Sequence, residues 1–164
     1  MSVNGLDVFD KTIQQTNVWL DEIMEDVGPD RKLAWHVLGG VLRTLRDRLQ
    51  PELALHVSAQ LPLLVRGIFF EGWRSPVSSE KYRHESAFLE HVVENTIGGR
   101  PVDPTLASRA VFGVLSRHLD VGLVRKVIES LPAPIRAHWP VRADEGPSGG
   151  LVTDADEPWS RIAD

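Results

Sequence analysis

The sequence predicts an all-α fold, and three observations carry this prediction. Apolar residues recur every three or four positions over most of the chain, which is the spacing of a helix with one buried face. Glycine and proline interrupt this spacing at the places where helices should begin or end. The apolar pattern of the first half also matches that of the second half when the chain is shifted by 70 residues.

In the first half, residues 9–27 form the first predicted helix, and Gly28-Pro29-Asp30 ends it. The second predicted helix, from Leu33 to Leu49, has doubled apolar positions, so its apolar stripe is wide and predicts a place near the middle of the bundle. Pro51 and Pro62 each suit the first turn of a further helix, because proline lacks the N–H that would be unpaired there. Residues 63–70 are apolar nearly all round, which predicts a buried element.

In the second half, helical spacing resumes at Phe88 and continues to Ile97, where a run of two glycines, an arginine and a proline breaks it. Asp103-Pro104 is typical of an N-cap followed by proline at the first helical position. Asp120 can cap the next helix, and proline at 132 or 134 opens the last one.

The 70-residue shift predicts an internal repeat. Seven positions then match in identity at helical spacing: Val41, Leu45, Leu49, Leu53, Val57, Leu61 and Pro62 fall on Val111, Leu115, Leu119, Leu123, Val127, Leu131 and Pro132. We therefore expect a compact helical bundle of two tandem four-helix repeats, about 9–73 and 84–139, within a single all-helical domain of residues 1–139.

Charge divides the chain into a body and a tail. The formal net charge is −5, and residues 140–164 carry six acids against two arginines, so the body is nearly neutral. A body without basic excess argues against nucleic-acid binding. The tail combines acids with glycine, proline and serine, and we expect it to be a disordered acidic tail in which Trp159 is an exposed aromatic residue.

Several classes of protein are excluded by composition. No apolar run approaches the roughly 20 residues that span a bilayer, and acids interrupt the first 20 residues where a signal peptide would be apolar. The absence of cysteine excludes disulfides and thiolate metal sites. We expect a soluble cytoplasmic protein without membrane association.

Several short segments occur in an order that is familiar from one family. They are Phe9-Asp10-Lys11-Thr12, Trp19-Leu20-Asp21-Glu22-Ile23, Ala59-Gln60-Leu61-Pro62-Leu63-Leu64-Val65-Arg66-Gly67, Glu71-Gly72-Trp73 and Ala110-Val111-Phe112-Gly113-Val114-Leu115-Ser116-Arg117-His118. Over about residues 9–139 the chain resembles the bacterial domain-of-unknown-function family 2267. The resemblance implies an all-helical fold, and because the family has no established activity, cofactor or catalytic residue, it assigns no functional residue to this chain.

Glu71 is the most unusual residue of the body, because this acid ends an apolar segment among aromatic residues. It could pair with Arg66, Arg74 or another base to fix the end of the helix, which is the interpretation we favour. It could instead anchor a ligand beside an aromatic pocket that includes Trp73. Arg66 and Arg136 are equivalent under the 70-residue shift, and we expect each to pair with an acid or a helix-end carbonyl rather than bind an anion.

The histidines and charged faces do not assemble a recognisable chemical site. His84 and His91 share one acidic helical segment but lack the spacing of zinc proteases or di-iron bundles, so we expect a solvated face and no metal or cofactor. The same interpretation extends to His36, His56 and His118. Residues 7–30 are acidic and residues 31–48 basic, which predicts that the first two helices attract each other.

These observations favour a non-enzymatic module that mediates protein–protein interaction or acts as a scaffold. We expect a protein partner of unknown identity, and the sequence leaves a homodimer open. The alternative is a small-molecule-binding pocket between the two repeats, lined by Arg66, Glu71 and Trp73. If the protein were instead an enzyme, Glu71 would be its candidate catalytic acid.

Overall fold

Helices and their connections make up the part of the chain that the computed structural model describes, namely residues 5–74, 84–96 and 98–140. Eight helices and no strand lie within these residues, which confirms the all-α prediction. They are α1 (Asp7–Val27), α2 (Arg31–Arg48), α3 (Pro51–Gln60), α4 (Leu63–Phe70), α5 (Glu85–Asn95), α6 (Pro104–His118), α7 (Val121–Ser130) and α8 (Ala133–Arg136).

The ends of the helices follow the predicted capping residues. The Asp103 carboxylate accepts the N–H of Thr105 at the start of α6, directly before Pro104. The Asp120 carboxylate accepts the N–H of Leu123 at the start of α7. At the end of α1 the chain leaves through Gly28, whose φ of 109° lies in a region that side chains disfavour.

The core forms around α2, as its wide apolar stripe predicts. This helix packs against α1, α4, α5 and α6, and its side chains from Val37 to Leu45 include several with no exposed surface. In α6 the central residues are buried in the same way, and Leu115 is almost as inaccessible as Leu45. Both leucines are therefore core residues, as expected.

The two halves of the domain pack on each other through crossed pairs of helices. α1 lies on α6 and α5 lies on α2, while α2 packs on α6 and α3 on α7. Such crossed pairs are compatible with two related four-helix units that face each other. The internal repeat itself stays a prediction from the sequence.

The prediction that residues 63–70 form a buried element is wrong. Of the side chains in α4, Val65 and Phe69 are buried, whereas Leu63 and Leu64 are about half exposed. The helix lies at the edge of the bundle and packs mainly on α1, α2 and α3, which leaves Leu63 and Leu64 exposed on its outer face.

One further prediction concerns a part of the chain outside this description, because the expected acidic tail with Trp159 lies almost entirely in residues 141–164. Among the described residues, no helix is both long enough and apolar enough to cross a membrane.

Candidate functional site

An open cleft of about 630 Å³ lies where α2 faces the ends of α4 and α5. One wall consists of the α2 residues Trp35, His36, Gly39, Arg43, Arg46 and Asp47. The opposite wall consists of Ile68 and Glu71-Gly72 at the end of α4, together with Asn95 at the end of α5. The cleft is therefore polar, and charged side chains of both signs line it.

Gly39 allows an arginine to lie flat along α2. Residues 36, 39 and 43 follow a three-four spacing, so they share one face of the helix. A Cβ at Gly39 would lie 2.8 Å from Arg43 Nη1, so the guanidinium occupies the space that a side chain would fill. Arg43 thus reaches back by one helical turn toward His36.

The Arg43 guanidinium is partly withdrawn from water and has one loosely held edge. Its Nη2 donates to the Asn95 carbonyl at 2.7 Å, whereas its Nη1 lies 3.7 Å from the Glu71 carboxylate. The Arg43 side chain is 19% exposed and that of Glu71 72%. Burial lowers the pKa of Arg43, and the charge of Glu71 opposes that effect. An arginine stays charged in such a place, so the cleft holds an incompletely solvated cation.

Arg46, by contrast, is held by several short hydrogen bonds. Its Nη1 donates to the carbonyls of Phe69 and Glu71, each at 2.8 Å, and its Nε donates to Asp47 at 2.8 Å. The side chain is only 5% exposed. Arg46 therefore fixes the C-terminal end of α4 against α2.

The C-terminal ends of two helices thus meet at the cleft, and an arginine of α2 binds a carbonyl at each. Such ends carry partial negative charge that favours cations. The α5 end is held further by the Asn95 amide, whose Nδ2 donates to Thr44 Oγ1 at 3.0 Å. The walls of the cleft are consequently fixed by hydrogen bonds, while Glu71 extends from its rim.

The predicted site residues do not come together in this cleft. Glu71 lines it, but pairs with Arg43 rather than with Arg66 or Arg74. Arg66 instead donates to the carbonyls of 58, 59 and 61 at the junction of α3 and α4. Trp73 packs on Phe70, with the ring centroids 5.3 Å apart. Neither Arg66 nor Trp73 belongs to the walls of this cleft.

The structural interpretation of the two equivalent arginines is confirmed. Arg136 donates to the carbonyl of Leu131 at 2.9 Å, as Arg66 does to that of Leu61 at 3.2 Å. In both halves the arginine binds a carbonyl at the end of the preceding helix.

Arg43 is the residue that sequence reasoning missed. The charge pattern assigned it to the acids of α1, and one such pair does form, between Arg31 and Asp21. Arg43 and Arg46 turn instead to the ends of α4 and α5. A signal was present, because a glycine four residues before an arginine on a buried helix leaves room for the guanidinium.

His36 is not on the solvated face that the sequence predicted, because it is half-buried in the wall of the cleft. His118 is exposed, as expected, and lies against the ring of Trp19 with its Nε2 2.7 Å from Glu22. A second, smaller cleft of about 320 Å³ borders this pair. Because Glu22 also accepts from Arg117 Nε at 3.3 Å, the cluster joins α1 to α6. The described residues contain no group of three side chains suited to a metal ion.

Comparison with known protein families shows what most of the chain is similar to. The family described as "Uncharacterized conserved protein (DUF2267)" matches residues 16–138, which is most of the chain and includes every wall of the larger cleft. No curated protein matches the chain.

Proposed function

The chain belongs to the DUF2267 family of uncharacterized conserved proteins, and we propose that it binds a small polar molecule in the cleft between α2, α4 and α5. The observation that carries this proposal is Arg43, whose side chain lines the cleft, is 19% exposed and has its Nη1 in only a loose pair with the Glu71 carboxylate, at 3.7 Å. The ligand would place a negatively charged group against this nitrogen.

The properties of the cleft support this role for Arg43. A volume of about 630 Å³ is in the range of small-molecule sites. A charge-assisted hydrogen bond to a partly desolvated guanidinium is stronger than one in bulk water. The competing Glu71 is exposed and 3.7 Å away, and such surface pairs contribute only about 0–1 kcal/mol, so a ligand can displace it.

Isothermal titration calorimetry with a panel of small carboxylates, phosphates and amino acids tests the proposal. We expect at least one of these compounds to bind, and Arg43→Gln to weaken its affinity by about tenfold or more, as loss of a hydrogen bond to a charged group does. Arg31→Gln is the matched control, because this α2 arginine pairs with Asp21 outside the cleft. Binding that is equally strong in parent and Arg43→Gln would refute the site.

An interaction module, the function that the sequence favours, is the second candidate. Large apolar side chains are exposed along α1 and its N-cap, namely Leu6, Val8, Phe9, Ile13 and Val18. Sedimentation analysis tests the homodimer, and crosslinking in native cells tests other protein partners. Ile13 and Leu106 are similarly exposed, so a charge at either position leaves the core intact. Ile13→Glu should abolish binding of a partner that contacts α1, whereas Leu106→Glu on α6 should not.

A cytoplasmic location remains a prediction, which the lack of cysteine favours.

A further inference from the structure

We infer that the ligand of this cleft is a zwitterion of the amino-acid type, with its carboxylate on Arg43 and its ammonium group on Glu71. This inference rests on the proposed function and specifies the chemistry of the same site. Three properties of the cleft lead to it: its balance of charge, the helix ends that border it, and the loose pair between Arg43 and Glu71.

The charges that line the cleft cancel. Two arginines, at 43 and 46, face two acids, at 47 and 71, in a protein whose net charge is −5. A simple anion would gain the contact with Arg43, but it would also leave the Glu71 carboxylate unpaired and close to its own charge. A zwitterion supplies both opposite charges and avoids this repulsion.

The helix ends favour a positive group in the same cleft. α4 ends at Phe70 and α5 at Asn95, and both C-terminal ends border the cleft. A helix C-terminus stabilises a nearby cation and disfavours an anion. Arg46 already binds the Phe69 and Glu71 carbonyls, so the exposed Glu71 carboxylate is the group that can receive an ammonium ion here.

The pair between Arg43 and Glu71 can open to admit a zwitterion. Their closest atoms are 3.7 Å apart, whereas a strong ion pair has a distance of about 2.7–2.9 Å. The exposed Glu71 can move outward, while Arg43 remains held by the Asn95 carbonyl. Trp35 and Ile68 then offer apolar surface to the remainder of the ligand.

A calorimetric test uses three matched probes: an L-amino acid, its N-acetyl derivative and its amide. The twenty common L-amino acids are titrated first, and the derivatives of the tightest binder follow. We expect the amino acid to bind, and each derivative, which lacks one of the two charges, to bind about tenfold more weakly or worse. Glu71→Gln should weaken the binding of the amino acid by a similar factor without weakening the binding of the N-acetyl derivative. Glu52→Gln, an exposed acid on α3, is the control.

The outcomes separate this inference from the proposed function. If the N-acetyl derivative or another simple anion binds as tightly as the amino acid, and Glu71→Gln strengthens it, the ligand is an anion and only the inference is wrong. If no carboxylate, phosphate or amino acid binds, or if binding does not respond to Arg43→Gln, the proposed function fails as well. Thermal unfolding of each variant confirms that it is folded.

Discussion

Gly40 of α2 lies directly against Thr96 at the end of α5. A Cβ on Gly40 would overlap Thr96 Oγ1 and would lie 3.1 Å from the Thr96 Cα. This close approach of the two helices sets Asn95 beside Arg43, and Thr96 is held in turn by the hydrogen bond from its hydroxyl to the Val92 carbonyl. The missing side chain at position 40 therefore helps to define the wall of the cleft.

Substitution of Gly40 tests this packing. We expect Gly40→Ala to lower the free energy of unfolding by about 1–3 kcal/mol, the usual cost of overpacking a core, because the backbone of Thr96 must move. Urea denaturation measures this change. A ligand of the cleft should also bind more weakly, since Asn95 moves with Thr96.

Gly67 is the matched control for this experiment. It lies in α4 with nothing within 4 Å of an added Cβ. Gly67→Ala should therefore leave stability unchanged or raise it by up to about 1 kcal/mol, through better helix propensity. If the two variants unfold at the same urea concentration, the close approach at Gly40 is not tight.

The two arginines of the cleft should differ sharply in their effect on stability. Arg46→Met leaves the buried Phe69 carbonyl and the partly buried Glu71 carbonyl without their donor and Asp47 without its cation, so we expect a loss of about 3–5 kcal/mol. Arg43→Met removes a partly buried charge, and the Asn95 carbonyl that loses its donor borders the open cleft, where water can replace the arginine. We therefore expect the free energy of unfolding to change by no more than about 1 kcal/mol.

Chemical denaturation of both methionine variants provides this comparison. A large loss of stability for Arg43→Met, equal to that for Arg46→Met, would show that Arg43 has a structural role. The assignment of Arg43 to a ligand would then lose its main support.

The buried leucines of α2 and α6 should be equally important to the core. Leu45→Ala and Leu115→Ala should each reduce the free energy of unfolding by about 2–5 kcal/mol, because both side chains are enclosed by the core cluster. Leu55→Ala on α3 is the control, since that side chain is 48% exposed. A Leu45→Ala variant as stable as Leu55→Ala would contradict this account of the core.

The helices and the core could be predicted because local signals determine them. The spacing of apolar residues gives each helix its buried face. Asp103 and Asp120 act as caps through hydrogen bonds to residues two and three positions further along the chain. The wide stripe of α2 likewise predicted its central position. α4 was predicted less well, because an apolar sequence does not reveal whether neighbours exist to cover Leu63 and Leu64.

The cleft could not be predicted, because its residues meet only in three dimensions. Arg43 and Asn95 are 52 positions apart in the chain, and Glu71 comes from the end of a third helix, α4. The sequence drew attention to Glu71 by its aromatic neighbours, yet it offered Arg66 and Arg74 as partners because they are near in the chain. Helix packing, rather than sequence distance, brought Arg43 to Glu71.

Nuclear magnetic resonance of the labelled protein, titrated with the amino acid that binds most tightly, tests directly whether the ligand occupies the cleft beside Arg43. The indole N–H of Trp35 and the Nε–H of Arg43 report on the larger cleft, and the indole N–H of Trp19 reports on the smaller one. We predict saturable shifts at Trp35 and Arg43, with Trp19 unchanged. Saturable shifts at Trp19, with Trp35 and Arg43 unchanged, would contradict the account.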